Sequence, residues 1–244
     1  MITQDTKATL PNKAIYVNEL FSKIAKKYDL LNSLMTFGFN YKWKEEAIKL
    51  ALSEINNPTA ALDICCGTCD LGIILSKTSS SINITCTDNC SKMLEIGRIK
   101  IEKLKLKNIT LSLLDSEDLL SYFPKCSFDI VSIGFGLRNL VNKEKCIEDI
   151  YKLLHKNGVF VCIDLGHPTN YFWQKIFFYY FFKIVPTLGA IFAKNKEAYT
   201  YLPHSLVSWY TQEKLKNILL SKGFKKCYFK NILGGVVAIH IAIK

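Results

Sequence analysis

Leu62-Asp63-Ile64-Cys65-Cys66-Gly67-Thr68-Cys69-Asp70-Leu71-Gly72 is the stretch on which the fold turns. An apolar run, Ala60 to Cys65, ends against a glycine, and a helical pattern, Leu71 to Lys77, follows at once. Strand, tight turn and helix in that order form the opening of a βα unit. The same alternation continues downstream. Ile82 to Asp88, Ile109 to Asp115, Phe128 to Phe135 and Val159 to Leu165 read as strands, and Ser91 to Leu104 and Lys143 to His155 as helices. Ser91 is the expected N-cap of the first of these helices, and the Asn157-Gly158 pair the expected stop of the second. Alternating strands and helices predict a parallel, doubly wound α/β sheet with its ligand site at the carboxyl ends of the strands. A helix, Thr211 to Lys222, and two further strands, Lys225 to Leu233 and Val236 to Ile243, bring the count to seven. The Gly234-Gly235 turn between the last two predicts an antiparallel hairpin at the end of the chain.

Ahead of this core, Ile15, Leu20, Phe21, Ile24, Tyr28, Leu31, Leu34 and Met35 recur at mostly three- and four-residue spacing, the period of an amphipathic helix. The 244 residues are read as one domain: a helical cap (12–53), a ligand-binding core (59–166), an aromatic-rich insertion (167–205) and a closing helix and hairpin (206–244). With 49% hydrophobic and 22% charged residues, the chain has the material for a large core, which excludes disorder and coiled coil as global descriptions. The net charge of +11 favours an anionic neighbour: a nucleic acid, a phosphorylated substrate or an acidic membrane surface. Heavy use of Lys, Ile and Asn suggests an AT-rich coding genome, so part of that charge is compositional. Arginine is confined to Arg98 and Arg138 and no RNA-reading motif is present, so no nucleic-acid partner is expected. Nine cysteines, an odd number, and a polar opening from Met1 to Pro11 without a signal-peptide run point to a reducing compartment. Tyr171 to Ala193 is interrupted by Gln174, Lys175, Lys183 and Pro186 and falls short of the roughly 18 apolar residues of a membrane span.

Gly67 lets the backbone approach a ligand closely, and Thr68 and Asp70 offer polar groups around the turn. Asp88 ends the second strand 25 residues after Asp63, where a carboxylate can accept both hydroxyls of a ribose. Asp115-Ser116 ends the third strand, where an adenine edge would lie. Cys66 and Cys69 stand where a dinucleotide-binding loop needs glycines. The pattern Asp63-x-x-x-Gly67-Thr68-x-Asp70-Leu71 instead resembles the S-adenosylmethionine loop of class I methyltransferases. That likeness implies a Rossmann-like methyltransferase fold, with Asp63, Gly67, Thr68, Asp88, Asp115 and Ser116 around the cofactor.

Three further segments narrow the resemblance: Tyr28-Asp29-Leu30-Leu31-Asn32 running on to Gly38 and Trp43-Lys44; Gly134-Phe135-Gly136-Leu137-Arg138-Asn139; and Tyr199-Thr200-Tyr201-Leu202-Pro203-His204-Ser205. With the cofactor loop and the Gly234-Gly235 turn, they are similar, in order and over nearly the whole chain, to the C-methyltransferases of ubiquinone and menaquinone biosynthesis. Cys65-Cys66 and Gly134 look most like the cyanobacterial and plastid branch, which methylates a prenylated naphthoquinone. The chain departs from the family pattern at Ser33, usually Asp, and at Asn40-Tyr41, usually His-Arg, so any part those family residues play in closing the site is not carried over.

The resemblance implies S-adenosylmethionine as cofactor and a demethylated prenyl-naphthoquinol as substrate, in the last methylation step of phylloquinone or menaquinone synthesis. The benzoquinol of ubiquinone synthesis is the alternative substrate, and a basic RNA- or membrane-binding module that retains the fold is the alternative of another class. Ring-carbon methylation needs a reduced ring, loss of a phenolic proton, in-line alignment and exclusion of water. Arg138, following the fourth strand, is the expected phenolate stabiliser, unless it pairs structurally with a carboxylate such as Asp29. His167 and His204 are candidates for the general base, with a bound water as competitor, and Tyr28 and Tyr201 for orienting a ring hydroxyl. Cys65, Cys66, Cys69, Cys86 and Cys90 could assemble a zinc site, but a metal would block the methionine moiety, so none is expected. The aromatic insertion reads either as packed core or as a lid that greets a prenyl tail and dips into a membrane, with Lys175 and Lys183 at the headgroups. The enzyme is therefore expected in the plastid stroma or a bacterial cytoplasm, peripheral to the membrane, with a homodimer left open.

Overall fold

The computed structural model describes residues 10–193 and 196–244, so the opening residues 1–9 lie outside it. Two helices, α1 (Leu10–Met35) and α2 (Phe39–Ser53), precede the core. They are separated where Phe37 and Gly38 take left-handed φ values of 52° and 79°, and Thr36 ties the break by accepting from the Asn40 amide. α1 buries Leu20, Ile24 and Leu31, one stripe at helical spacing. Ile15 and Leu34, expected on that stripe, are instead exposed.

The core runs β1 (Ala60–Ile64), α3 (Asp70–Thr78), β2 (Asn83–Asp88), α4 (Ser91–Lys103), β3 (Ile109–Leu113), α5 (Leu119–Tyr122), β4 (Phe128–Gly134), α6 (Lys143–Leu153) and β5 (Leu154–Leu165). The insertion holds α7 (Tyr171–Tyr179), α8 (Val185–Leu188) and α9 (Lys196–Val207), and α10 (Gln212–Ser221), β6 (Lys226–Ile232) and β7 (Val237–Ile243) close the chain. The seven strands lie in the order β3-β2-β1-β4-β5-β7-β6, with β1 to β5 parallel and β7 antiparallel to both its neighbours. This is the class I methyltransferase fold expected from the sequence, hairpin included. β1, β4 and the 158–165 part of β5 are buried almost throughout, which is why they read as unbroken apolar runs rather than as alternation. The chain reverses direction across the sheet between β1 and β4, and the crevice at that switch point is where ligands bind in such sheets.

Two local expectations are corrected. Ser91 is the first residue of α4, and Cys90 is the cap residue: its amide donates to Asp88 Oδ1 at 2.8 Å. Asn157-Gly158 does not end α6, which stops at Leu153. The pair sits inside β5, with Asn157 at φ 65°, where the register with β4 jumps from Phe128↔Leu154 to Ile130↔Val159. The left-handed turn chemistry of the pair serves a bulge and not a helix stop. In the insertion, two π-helical turns, Tyr180–Ile184 and Gly189–Ala193, bracket α8. Among the described residues no helix is long and apolar enough to cross a membrane.

Candidate active site

β1 ends at Ile64, and the backbone then passes through three left-handed residues, Cys65 (φ 52°), Gly67 (φ 56°) and Cys69 (φ 65°), before entering α3. A Cβ on Gly67 would meet nothing within 4 Å, so conformation and not crowding is what glycine supplies there. The loop is fastened from one side by Asp88, whose Oδ2 accepts from the Gly67 amide at 2.8 Å. Each Asp88 oxygen thus takes one amide and retains a lone pair. Burial pushes this carboxyl up to about 6.

Beyond the loop lies a cavity of about 580 Å³ lined by Gly67, Asp88, Asp115, Ser116 and Gly134, with Met93 and Leu114 as apolar wall. Asp115 accepts from Asn89 Nδ2 at 3.0 Å and from the Glu117 amide at 3.0 Å. A second cavity, of about 450 Å³, shares Phe21, Tyr28 and Phe135 with the first. Its wall is mostly hydrocarbon, Ile24, Phe177, Phe181 and Val185 among it, and its two cationic lining residues are Lys44 and Arg138.

Arg138 stands in a 3₁₀ turn just past β4 and is 5% exposed. Its Nη1 donates to Asp164 Oδ1 at 2.5 Å and to the Phe135 carbonyl at 2.7 Å, and its Nε donates to Ser205 Oγ at 3.3 Å. Its ion-pair partner is therefore Asp164, not Asp29. Among the described residues Nη2 has no committed acceptor.

Over residues 8–244 the chain matches the ubiE/COQ5 methyltransferase family. It is 39% identical over 233 residues to the demethylmenaquinone methyltransferase of Leptospira interrogans, covering 95% of this chain and 94% of the relative. It is 34% identical over 237 residues to the ubiquinone/menaquinone biosynthesis C-methyltransferase UbiE of Rickettsia bellii, covering 95% and 94%. The chain belongs to this family. Its fold matches that of a SAM-dependent methyltransferase from Thermotoga maritima with a TM-score of 0.63 at 16% identity, over 93% of this chain and 99% of that one. The protein is an S-adenosylmethionine-dependent C-methyltransferase.

The first cavity suits that cofactor. The open lone pairs of Asp88 border a space bounded by the half-buried Gly67 backbone at one end and by Asp115 and Ser116 at the other. Two residues expected at the cofactor do different work. Asp63, 1% exposed, sits beneath the loop of the methyltransferase, accepting from Ser132 Oγ at 2.7 Å and from the Gly72 amide at 3.2 Å. Burial pushes its carboxyl up to about 7. Thr68 turns away from the cavity and donates to Asp29 Oδ1 at 2.6 Å. Both hold the loop's shape rather than line the ligand space.

Thr68 belongs to a network that the sequence reading did not anticipate. Lys100 of α4 bonds Asp29, Asp70 and Thr68, while buried Lys44 of α2 donates to Asp70 at 2.6 Å. Burial opposes the charge on Asp70, but the two ammonium groups outweigh it and hold its carboxyl below the usual range. The network latches α1 and α2 onto α3 and α4, and Trp43-Lys44 was its visible sign. Lys100→Met is expected to lower stability by about 1 kcal/mol, read as a shifted urea midpoint, because the ammonium is partly solvated.

The two histidines named as base candidates stand apart from both cavities. His167 places Nε2 3.2 Å from the Trp209 carbonyl, and His204 is exposed and packs edge-on to Phe182, with ring centroids 5.9 Å apart. Neither lines either of these two cavities. Tyr201 also lines neither, and donates to Asn139 Oδ1 at 3.3 Å, supporting a residue of the first cavity. Of the expected catalytic group, the structure brings Tyr28 and Arg138 to the cavities.

Proposed function

We propose that the enzyme methylates a ring carbon of a demethylated, prenylated naphthoquinol. The observation that carries this reading is the second cavity: apolar, large enough for a ring and the start of a tail, separated from the cofactor cavity by aromatic side chains, and provided with a buried guanidinium. When bound, S-adenosylmethionine supplies an electrophilic methyl group on a sulfonium. Phe21, Tyr28 and Phe135 keep water from the space between the two ligands. Arg138 Nη2 holds the oxygen beside the reacting carbon and favours its ionised form, which raises electron density at that carbon. With both histidines outside these two cavities, ionisation of the ring hydroxyl rests on this guanidinium and its proton passes to solvent; once the carbon has taken the methyl, the hydrogen it carried leaves as a proton and the ring oxygen regains its own, so one proton in all is released.

The name of the Leptospira relative supports a naphthoquinol, and that of the Rickettsia relative keeps a benzoquinol as the second reading. Cys65-Cys66 and Gly134 support the cyanobacterial and plastid branch and a phytyl tail. A Cβ at Gly134 would lie 2.8 Å from Leu71 Cδ1, so the packing there is fitted to glycine. Quinone analysis of cells lacking the chain distinguishes the readings. A demethylated naphthoquinone should accumulate; accumulation of a benzoquinone precursor instead gives the reaction to the second reading.

The same reading places the enzyme at a membrane surface. Phe37 (80% exposed), Phe39, Trp173 and Leu233 rim the mouth of the second cavity, and Tyr171 and Phe172 extend the apolar rim along α7. Lys42 and Lys175 stand over the Phe39 and Tyr171 rings, where lipid headgroups would meet them. The enzyme is expected to co-sediment with anionic vesicles more than with neutral ones and to be released by salt. Absence from both pellets removes the membrane contact.

A further inference from the structure

Tyr199, in α9, lines the second cavity and is 1% exposed. Among the described residues its hydroxyl oxygen is the buried side-chain polar atom without a hydrogen-bond partner. Two neighbours at the same cavity are paired: Tyr180 donates to the Met35 carbonyl at 2.7 Å, and Trp173 Nε1 donates to the Leu233 carbonyl at 2.8 Å. Burying a hydroxyl without a partner disfavours the fold, so a group held this way calls for an acceptor that arrives from outside. Bound water is a poor candidate, because a buried water needs two to four polar neighbours and this wall is mostly hydrocarbon.

The ring is also fixed in place. It lies against Gly189, where an added Cβ would come within 2.3 Å of its atoms, so the π-helical turn leaves a gap that the phenol fills. Burial pushes the phenol well above its ordinary value, with the Tyr28 phenol adding to the effect, so the group is a neutral donor at any working pH. A para-quinol presents two oxygens on opposite sides of its ring. Arg138 takes the one that ionises, which leaves the other in need of an uncharged donor.

We propose that Tyr199 Oη donates a hydrogen bond to the quinol oxygen remote from the methylated carbon, so that Tyr199 and Arg138 fix the ring in its plane by two points. The assignment rests on the quinol reading of the second cavity. It requires an acceptor on the far side of the ring, and it makes Tyr199 a determinant of ring recognition rather than of cofactor binding.

Tyr199→Phe separates this role from a structural one. Removing an unpaired buried hydroxyl should leave the melting temperature of the ligand-free enzyme unchanged or higher, and S-adenosylmethionine affinity unchanged. The kcat/KM for a reduced short-chain demethylnaphthoquinol should fall about tenfold, mostly through KM, the scale of one lost neutral hydrogen bond. With a naphthol analogue that keeps the hydroxyl beside the methylated carbon and lacks the remote one, wild type and variant should perform alike. A variant with wild-type kcat/KM on the quinol, an equal loss on both substrates, or a lowered melting temperature each overturns the role of Tyr199 and leaves the quinol reading standing. A wild-type enzyme that turns over neither naphthoquinol nor benzoquinol overturns both.

Discussion

Arg138→Lys is expected to slow methyl transfer by about 10²–10³-fold while leaving S-adenosylmethionine affinity near the wild-type value. The guanidinium is held by Asp164, by the Phe135 carbonyl and by Ser205, so its fork is aimed before any substrate arrives. A lysine keeps the charge, but one ammonium cannot satisfy Asp164 and a ring oxygen from the same position. The variant should also melt earlier, because loosening a buried ion pair leaves a carboxylate at 3% side-chain exposure with a weaker partner. Asp164→Asn is the control. It should reproduce the loss of stability with a smaller loss of rate, because the guanidinium remains. Single-turnover rates at saturating cofactor, measured beside thermal melts, decide the matter: a rate near wild type in Arg138→Lys makes the residue purely structural.

Asp88→Ala should weaken S-adenosylmethionine by about 10²-fold or more, since two charge-assisted hydrogen bonds to a ribose are worth roughly 1.5–3 kcal/mol each. The Gly67 and Cys90 amides lose their acceptor as well; Asp88→Asn keeps the shape but leaves one oxygen for two amides, so a thermal melt of each variant beside the titration separates damage to the loop from the ribose contribution. A pH dependence follows from the burial that pushes this carboxyl to about 6. Ribose hydroxyls donate to the ionised form, so protons compete with the cofactor. Affinity should be greatest above pH 7 and fall as pH drops through about 6, and the slope should vanish in Asp88→Asn. Calorimetric titration across this range checks the sign. A flat wild-type profile together with unchanged affinity in the variants would remove Asp88 from the ribose site.

The strands are readable because both faces of β1, β4 and the 158–165 part of β5 are buried, which turns each into an apolar run bounded by turn residues. Asn157-Gly158 misled for a physical reason: the same left-handed geometry that ends a helix also builds a bulge, and only the β4 register tells them apart. At the site, the motif identified Asp63 and Thr68 but not the direction of their side chains, which depends on Ser132, Asp29 and Lys100, all distant in sequence. The choice of Asp164 over Asp29 as the partner of Arg138 is of the same kind. Tyr199 and Tyr201 lie in one motif, and only packing shows which phenol is left without a partner.

Because the two cavities share only an aromatic partition of Phe21, Tyr28 and Phe135, their mouths differ in kind. One is edged by Asn18, Asn89 and Glu117, the other by Phe37, Phe39 and Leu233. Each reactant therefore has its own door. On the membrane reading proposed above, the spent donor would exchange with the aqueous phase while a prenyl tail kept its hold on the lipid side, and a quinol would enter sideways from a bilayer without crossing water. Successive turnovers would then need no fixed order of arrival or departure, and a pool of lipid substrate could be worked through without release from the surface.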